Sequence, residues 1–589
     1  MDNLYKFGKL TAREFSLISI ICLLFSFACE NQIANTNLEG EKIIREYRQD
    51  IYFFQIEKVG SNRYVAYIIS DPQLEPYSFD KCIFLEDRNP LPISDTLNFY
   101  YGNGFNNDYR AIVFNLNDSS DPRTNGRKYE LICRQECILH REKVVVKKDY
   151  SQLKINIPVD KVVQPYRMIW QNLDETTTVI PYIRTKGQPD LRSIDGMLSS
   201  IIAPEMTDEE KAVAIWKFLV DWRYPYLPFS MIDSELFDPV RRINVYGFAE
   251  CYTSSKVFAV LATEAQIPAR VIGLGGYHVV AEAYYEGNWH MFDSSEENFF
   301  RNDDGSIASV DDLAQNTDLI DRATITITGG TASKEFDAMP PELIDQNCFS
   351  KADLMDIYAS SQASFLPPWE LTDPHQILTE LEPGSKAIFD FPKTNAISHS
   401  YRFSEYPLPP IFANGKLIKK IKIGSDTVNN GGEAVFGVKW SYVTLGSELK
   451  LTLDDTNIAF KAFISENMQF WLDLPIDYID NEVIASADNI FQLTEFAIYD
   501  YFIKVDFGEN NVPVNEDITG TLTTTFQFAP RVLLDIESGE NTFEIFLDFP
   551  ESAPPPEFEG VQIIVEWIYP IRQVLLPDDY DYINLLNPY

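Results

Sequence analysis

Tyr246-Gly247-Phe248-Ala249-Glu250-Cys251-Tyr252 opens the stretch on which the reading turns. It continues through Ile267-Pro268-Ala269-Arg270 and Gly276-Tyr277-His278 to Asn288-Trp289-His290-Met291-Phe292-Asp293. From Cys251 to Ala265 there is no Gly or Pro, and Phe258, Leu261, Ala262 and Ala265 recur at helical spacing. Pro268 stops the run, so the spacing predicts a helix with Cys251 in its first turn. There the helix dipole and the free backbone N–H groups favour a thiolate, the reactive form of cysteine. His278 to Tyr285 and Asn288 to Asp293 are β-rich, and Glu286-Gly287 suits a two-residue turn. That turn pairs Tyr285 with Asn288 and sets Val280 opposite Asp293. His278 and Asp293 then share a face as diagonal neighbours, about 7–8 Å apart at the backbone. His290 falls opposite Ala283 on the other face, so the register selects His278 as the reactive imidazole.

A Cys on a helix followed by a His and an Asp on strands is the set that thiol-based acyl transfer needs. The order of these residues, and the words around them, resemble the transglutaminase-like superfamily of papain-type cysteine enzymes. The resemblance spans roughly residues 195–300. It implies Cys251 as nucleophile, His278 as its ion-pair partner and proton donor, and Asp293 as the group that fixes the ring tautomer. The backbone N–H of Cys251 is a natural oxyanion donor. Trp216 and Trp222 lie upstream, but no spacing assigns either as the second donor. Tyr252-Thr253 after the nucleophile departs from the family pattern and bears on the shape of the substrate groove. Asn244-Val245-Tyr246-Gly247 and Trp289-His290 resemble a secreted bacterial subgroup with β-rich flanks.

At the start of the chain, Lys6, Lys9 and Arg13 precede an apolar run from Phe15 to Ala28. The run is too short to span a membrane and suits a signal peptide. Ser26-Phe27-Ala28 offers small residues at the cleavage positions, and Cys29 follows at once. This pattern favours a lipoprotein modified at Cys29 over an ordinary secretory signal, with Glu30 to Gly40 as a polar tether. The expected location is the bacterial cell envelope, as an outer-membrane lipoprotein facing the periplasm or the surface.

The 589 residues suggest about three to five domains. A net charge of −39, spread along the chain, argues against nucleic acid as a partner. Beyond Cys22 and Cys29 the cysteines are Cys82, Cys133, Cys137, Cys251 and Cys348. Cys82 suits a bridge to either Cys133 or Cys137. The histidines are scattered and no Cys/His cluster has ligand spacing, so neither a metal nor a cofactor is expected. Asn302-Asp303-Asp304-Gly305 lacks the pattern of a calcium loop and reads as a turn.

Short β-rich runs before and after the motif region predict β-sandwiches. The expected organisation is a signal peptide at 1–28, a tether at 29–40 and a β-sandwich at 41–163. A transglutaminase-like core follows at 164–346, then β-sandwiches at 347–450 and 451–589. Within the core, Asp208 to Asp221 reads as a helix capped by Thr207, and Ser309 opens a shorter one. The expected fold class is α+β, a transglutaminase-like (papain-like) core between N-terminal and C-terminal β-sandwich domains. The expected activity is cleavage or transfer of peptide or glutamine amide acyl groups through a Cys251 thioester, hydrolysis favoured, on protein, peptide or peptidoglycan-like substrates. The competing reading is a non-catalytic surface scaffold whose sandwiches bind glycan or protein. Aromatic residues, 13% of the chain, are compatible with sugar stacking but mostly fill cores.

Overall fold

In a computed structural model of the chain, the described residues run from 40 to 573. Excepted are 52–55, 59–62, 70–81, 88, 92, 101–107, 117–119, 160–162, 223, 226–232, 250, 275–277, 296–297, 323–363, 367–373, 395–411, 425–427, 430–431, 453–459, 480–481, 488–496, 509–517, 530–532, 534–535 and 551–554. The expected signal peptide, Cys29, almost all of the tether, and Cys348 therefore lie outside the described residues. Among the described residues, no helix is long and apolar enough to cross a membrane.

Among the described residues, strands far outnumber helices. Among the described residues the largest sheet has twelve strands. It runs in the order Ile476–Ile479, Glu482–Ala487, Val443–Thr452, Ile518–Phe528, Phe412–Ile423, Lys386–Thr394, Gln164–Asn172, Val561–Gln573, Tyr129–Val146, Ile83–Glu86 and Asn89–Leu91. Glu41–Ile51 pairs with Tyr129–Val146 beside them. Gln164–Asn172 is antiparallel both to Lys386–Thr394 and to Val561–Gln573, strands that lie hundreds of residues away in the chain. Period-two burial follows. In Tyr150–Ile157, for example, Leu153, Ile155 and Ile157 turn inward, while Lys154 and Asn156 are exposed.

The α+β class with a transglutaminase-like, papain-like core is therefore corrected to a mostly β protein with multiple antiparallel sheets. The physical reason lies in proportion. The helices around Cys251 are short, the longest 14 residues each, and His278 and Asp293 stand at the ends of strands. The β-rich sheets fit the expected sandwich character of the flanking chain.

Local signals near the motif form as the residues dictate. Asp208–Asp221 is a helix whose N-cap Thr207 closes a capping box with Glu210. Val310–Gln315 is capped in the same way by Ser309 and Asp312. Cys82 bridges Cys133, and Cys137 is a buried free thiol. Asn302 to Ser306 forms a tight turn, closed by Gly305 N–H to the Asn302 carbonyl at 3.0 Å.

Candidate functional site

Cys251 is the first residue of the Cys251–Glu264 helix and is part-exposed. Val257, Phe258 and Leu261 anchor that helix in the main core, where Phe258 stacks on Phe292 at 5.0 Å. The Ser255 hydroxyl donates to the Cys251 carbonyl at 2.8 Å and lies 3.0 Å from the Val279 carbonyl. It thereby ties the first turn to the strand that follows His278.

The chain before the thiol is pinned from both sides. Arg242–Tyr246 forms a single π-helical turn, ended by Gly247 in the left-handed region (φ 73°). Such turns recur at functional sites. A side chain at Gly247 would strain that backbone. The Asn244 amide donates to the Leu191 and Val240 carbonyls at 2.8 and 2.9 Å. The Asn244 carbonyl accepts from Ala529 N–H at 2.8 Å, and the Val245 carbonyl from the Gln527 amide at 3.3 Å.

The hairpin has the expected register. Tyr285 pairs with Asn288 and Ala283 with His290, around a turn at Glu286 (φ 52°) and Gly287 (φ 85°). Val279–Tyr285 and Asn288–Phe292 belong to a four-stranded antiparallel sheet with Ala269–Gly273 and Ser364–Leu366. His278 stands one residue before the first of these strands, and Asp293 one residue after the second. Their side chains meet there, His278 Nε2 to Asp293 Oδ2 at 2.5 Å. With Nε2 engaged, Nδ1 is the ring nitrogen left for Cys251, whose side chain is also hydrogen-bonded to His278. The structure thus brings all three expected residues together, the histidine and aspartate buried and the thiol at the edge.

Burial alone would disfavour the imidazolium. The Asp293 carboxylate beside it, its hydrogen bond, and then Cys251 outweigh burial and hold His278 well above the ordinary histidine range. Asp293 is oriented from several directions. Its Oδ1 accepts the Ser295 N–H at 2.9 Å, and its carbonyl accepts the Asn298 N–H at 3.0 Å and the Trp216 indole N–H at 2.9 Å. Trp216 is wholly buried, edge-on to Phe299 at 5.0 Å. Its N–H is therefore committed to Asp293 and does not serve as an oxyanion donor.

His290 points elsewhere. Nδ1 lies 2.5 Å from the Ile307 carbonyl and Nε2 3.2 Å from the Tyr285 carbonyl, and the ring stacks on Tyr285 at 3.8 Å. Its role is structural.

Two supports were not read from the sequence. Trp216 is one. The other is the buried Glu282, which accepts from Arg270 Nε at 2.7 Å and from Val310 N–H at 2.8 Å. It links the hairpin, the neighbouring strand and the Ser309-capped helix. Arg270 sits directly opposite Glu282 in the ladder, so the register contained this second signal. Among the described residues, no group of three His, Cys, Asp or Glu side chains could hold a metal ion.

No family model matches the chain. No curated protein matches it either. Among solved structures, a "putative protease" from Parabacteroides distasonis aligns with 82% of this chain and 96% of its own, at 9% identity and a TM-score of 0.16. A mutant VP2 protein of infectious bursal disease virus aligns with 96% of this chain and 89% of its own, at 6% identity and a TM-score of 0.14. Scores this low establish no common architecture.

Proposed function

We propose that this chain is a cysteine-dependent enzyme that cleaves amide bonds through an acyl-thioester on Cys251. The observation that carries the reading is one imidazole held between a buried carboxylate at 2.5 Å and the thiol. The motif-level resemblance to transglutaminase-like enzymes supports the type of reaction, as a likeness of the site and not of the fold class. In this scheme His278 takes the thiol proton, and the thiolate attacks the carbonyl carbon of the amide. The developing oxyanion meets the Cys251 backbone N–H at the start of the helix. The imidazolium then protonates the departing amine, and the thioester remains. Water, deprotonated by His278, attacks the thioester and releases acid and free thiol. An amine in place of water gives transamidation, and hydrolysis is favoured at a site open to solvent. Protein, peptide or peptidoglycan-like amides are the substrates this chemistry suits. The basic, apolar, Cys29 pattern at the N-terminus supports an exported, lipid-anchored setting.

The test needs no substrate. Cys251 alkylation by iodoacetamide is followed from about pH 4 to 10 in the protein and in His278→Ala, starting well below the free-thiol pKa of about 8.5. Fast reaction at low pH, abolished in the variant, is expected. Reaction that rises only near the free-thiol pKa and ignores His278 would overturn the reading.

A further inference from the structure

A second candidate site lies on the sheet formed by Glu433–Lys439, Asp500–Asp506, Lys461–Ser465 and Leu472–Leu474. One face is core, through Ala434, Val438, Ile503, Val505 and Ile464. The other carries side chains that alternate with these and remain partly or fully exposed. Val435, Lys504, Phe463 and Asp473 form one row across all four strands, and Gly437 lies beside Phe502 in the next.

The rows make a platform of rings around one cation. The Lys504 ammonium is 4.8 Å from the Phe463 ring centre and 4.7 Å from that of Trp471. Its charge is met by Glu433 at 3.1 Å. Gly437 leaves room for the Phe502 ring, whose edge lies 3.3 Å from where a Cβ would stand. A glycine in a strand often marks such a close approach. Val435, 43% exposed, stands at one end of the Lys504 row.

We propose that this face binds a neutral oligosaccharide. A pyranose ring presents one face of C–H groups, which packs on aromatic faces, while its hydroxyls bond to nearby charged groups. Here those groups are Lys504, Glu433 and Asp473, within or beside the ring platform. Charge decides against other ligands. Lys504 and Lys461 alternate with Glu433, Asp473 and Asp506, so the face has no single sign. The net charge of −39 repels anionic glycans and anionic lipid. A bilayer surface would desolvate Asp473 and Asp506 without compensation.

The test is calorimetric titration of the full chain with cellohexaose, xylohexaose, laminarihexaose, mannohexaose, maltohexaose and chitohexaose. Binding to at least one is expected. Trp471→Ala and Phe502→Ala should each weaken it about tenfold, the order of one lost ring contact. Tyr150→Ala, which removes an exposed ring elsewhere, should bind as the parent does. Circular dichroism and the melting temperature check that each variant folds. No binding to any of the six sugars overturns the proposal. So does binding indifferent to both ring substitutions, or capture of phosphatidylcholine vesicles in place of sugar.

Discussion

The Trp216 indole N–H, on the Asp208–Asp221 helix, donates to the backbone carbonyl of Asp293 at 2.9 Å. The bond fixes the main chain that carries the carboxylate facing His278. In Trp216→Phe most of the ring remains and the N–H is lost. A lost hydrogen bond of this kind costs about 1 kcal/mol of stability. Cys251 alkylation below pH 8 should slow severalfold, while the rate at high pH, where any thiol is ionised, stays the same. Equal slowing at both ends of the profile would count against a positioning role.

The charge on His278 also couples the site to folding. Its folded-state pKa is raised, because Asp293 and Cys251 outweigh the opposing effect of burial. A raised histidine adds stability that is complete below its unfolded value of about 6.5 and disappears as pH rises through the folded value. The stability advantage over His278→Gln, from urea unfolding at several pH values, should therefore shrink with increasing pH. An advantage that grows would contradict this assignment.

Glu282 is fully buried and bound to both Arg270 and the Val310 N–H. Removing one member of a buried pair strands the other, at a cost of about 3–5 kcal/mol. Glu282→Ala should approach that loss in urea unfolding, and adding Arg270→Met should recover part of it. A loss below about 1 kcal/mol would mean that the pair is not structurally important.

The cysteines should separate cleanly by chemistry. The Cys82–Cys133 bridge closes a 51-residue separation, which chain entropy values at about 4 kcal/mol. Cys82→Ser with Cys133→Ser should lower stability by an amount of that order. Burial pushes the Cys137 thiol up to about 11, so it should resist iodoacetamide in the folded protein at pH 7. Peptide mapping by mass spectrometry after brief labelling reads both thiols. Modification of Cys137 as fast as Cys251 would contradict the assignment.

What the sequence revealed was local. The Glu286-Gly287 turn fixed the register, and register alone distinguished His278 from His290. Thr207 and Ser309 marked helix starts through short-range bonds that their neighbours complete. The fold class depended on pairings with no local trace, such as Gln164–Asn172 between Lys386–Thr394 and Val561–Gln573. Of the three motif residues only Cys251 lies in a helix, and the motif carries no information on the strands that dominate the rest of the chain. Trp216 was visible as a candidate, but the sequence could not show which acceptor its N–H would meet. Glu282 opposite Arg270 was readable once the strands were aligned.

The pairing of late strands with early ones has a consequence for biosynthesis. Gln527 and Ala529 hold the turn before Cys251, and Val561–Gln573 closes the large sheet. A ribosome delivers Cys251 long before any of these. Nascent chains stalled before residue 520 should alkylate no faster than an ordinary thiol, and fast labelling of such chains would refute the dependence. A reactive Cys251 would then emerge only once Gln527 and Ala529 have packed onto the turn that precedes it.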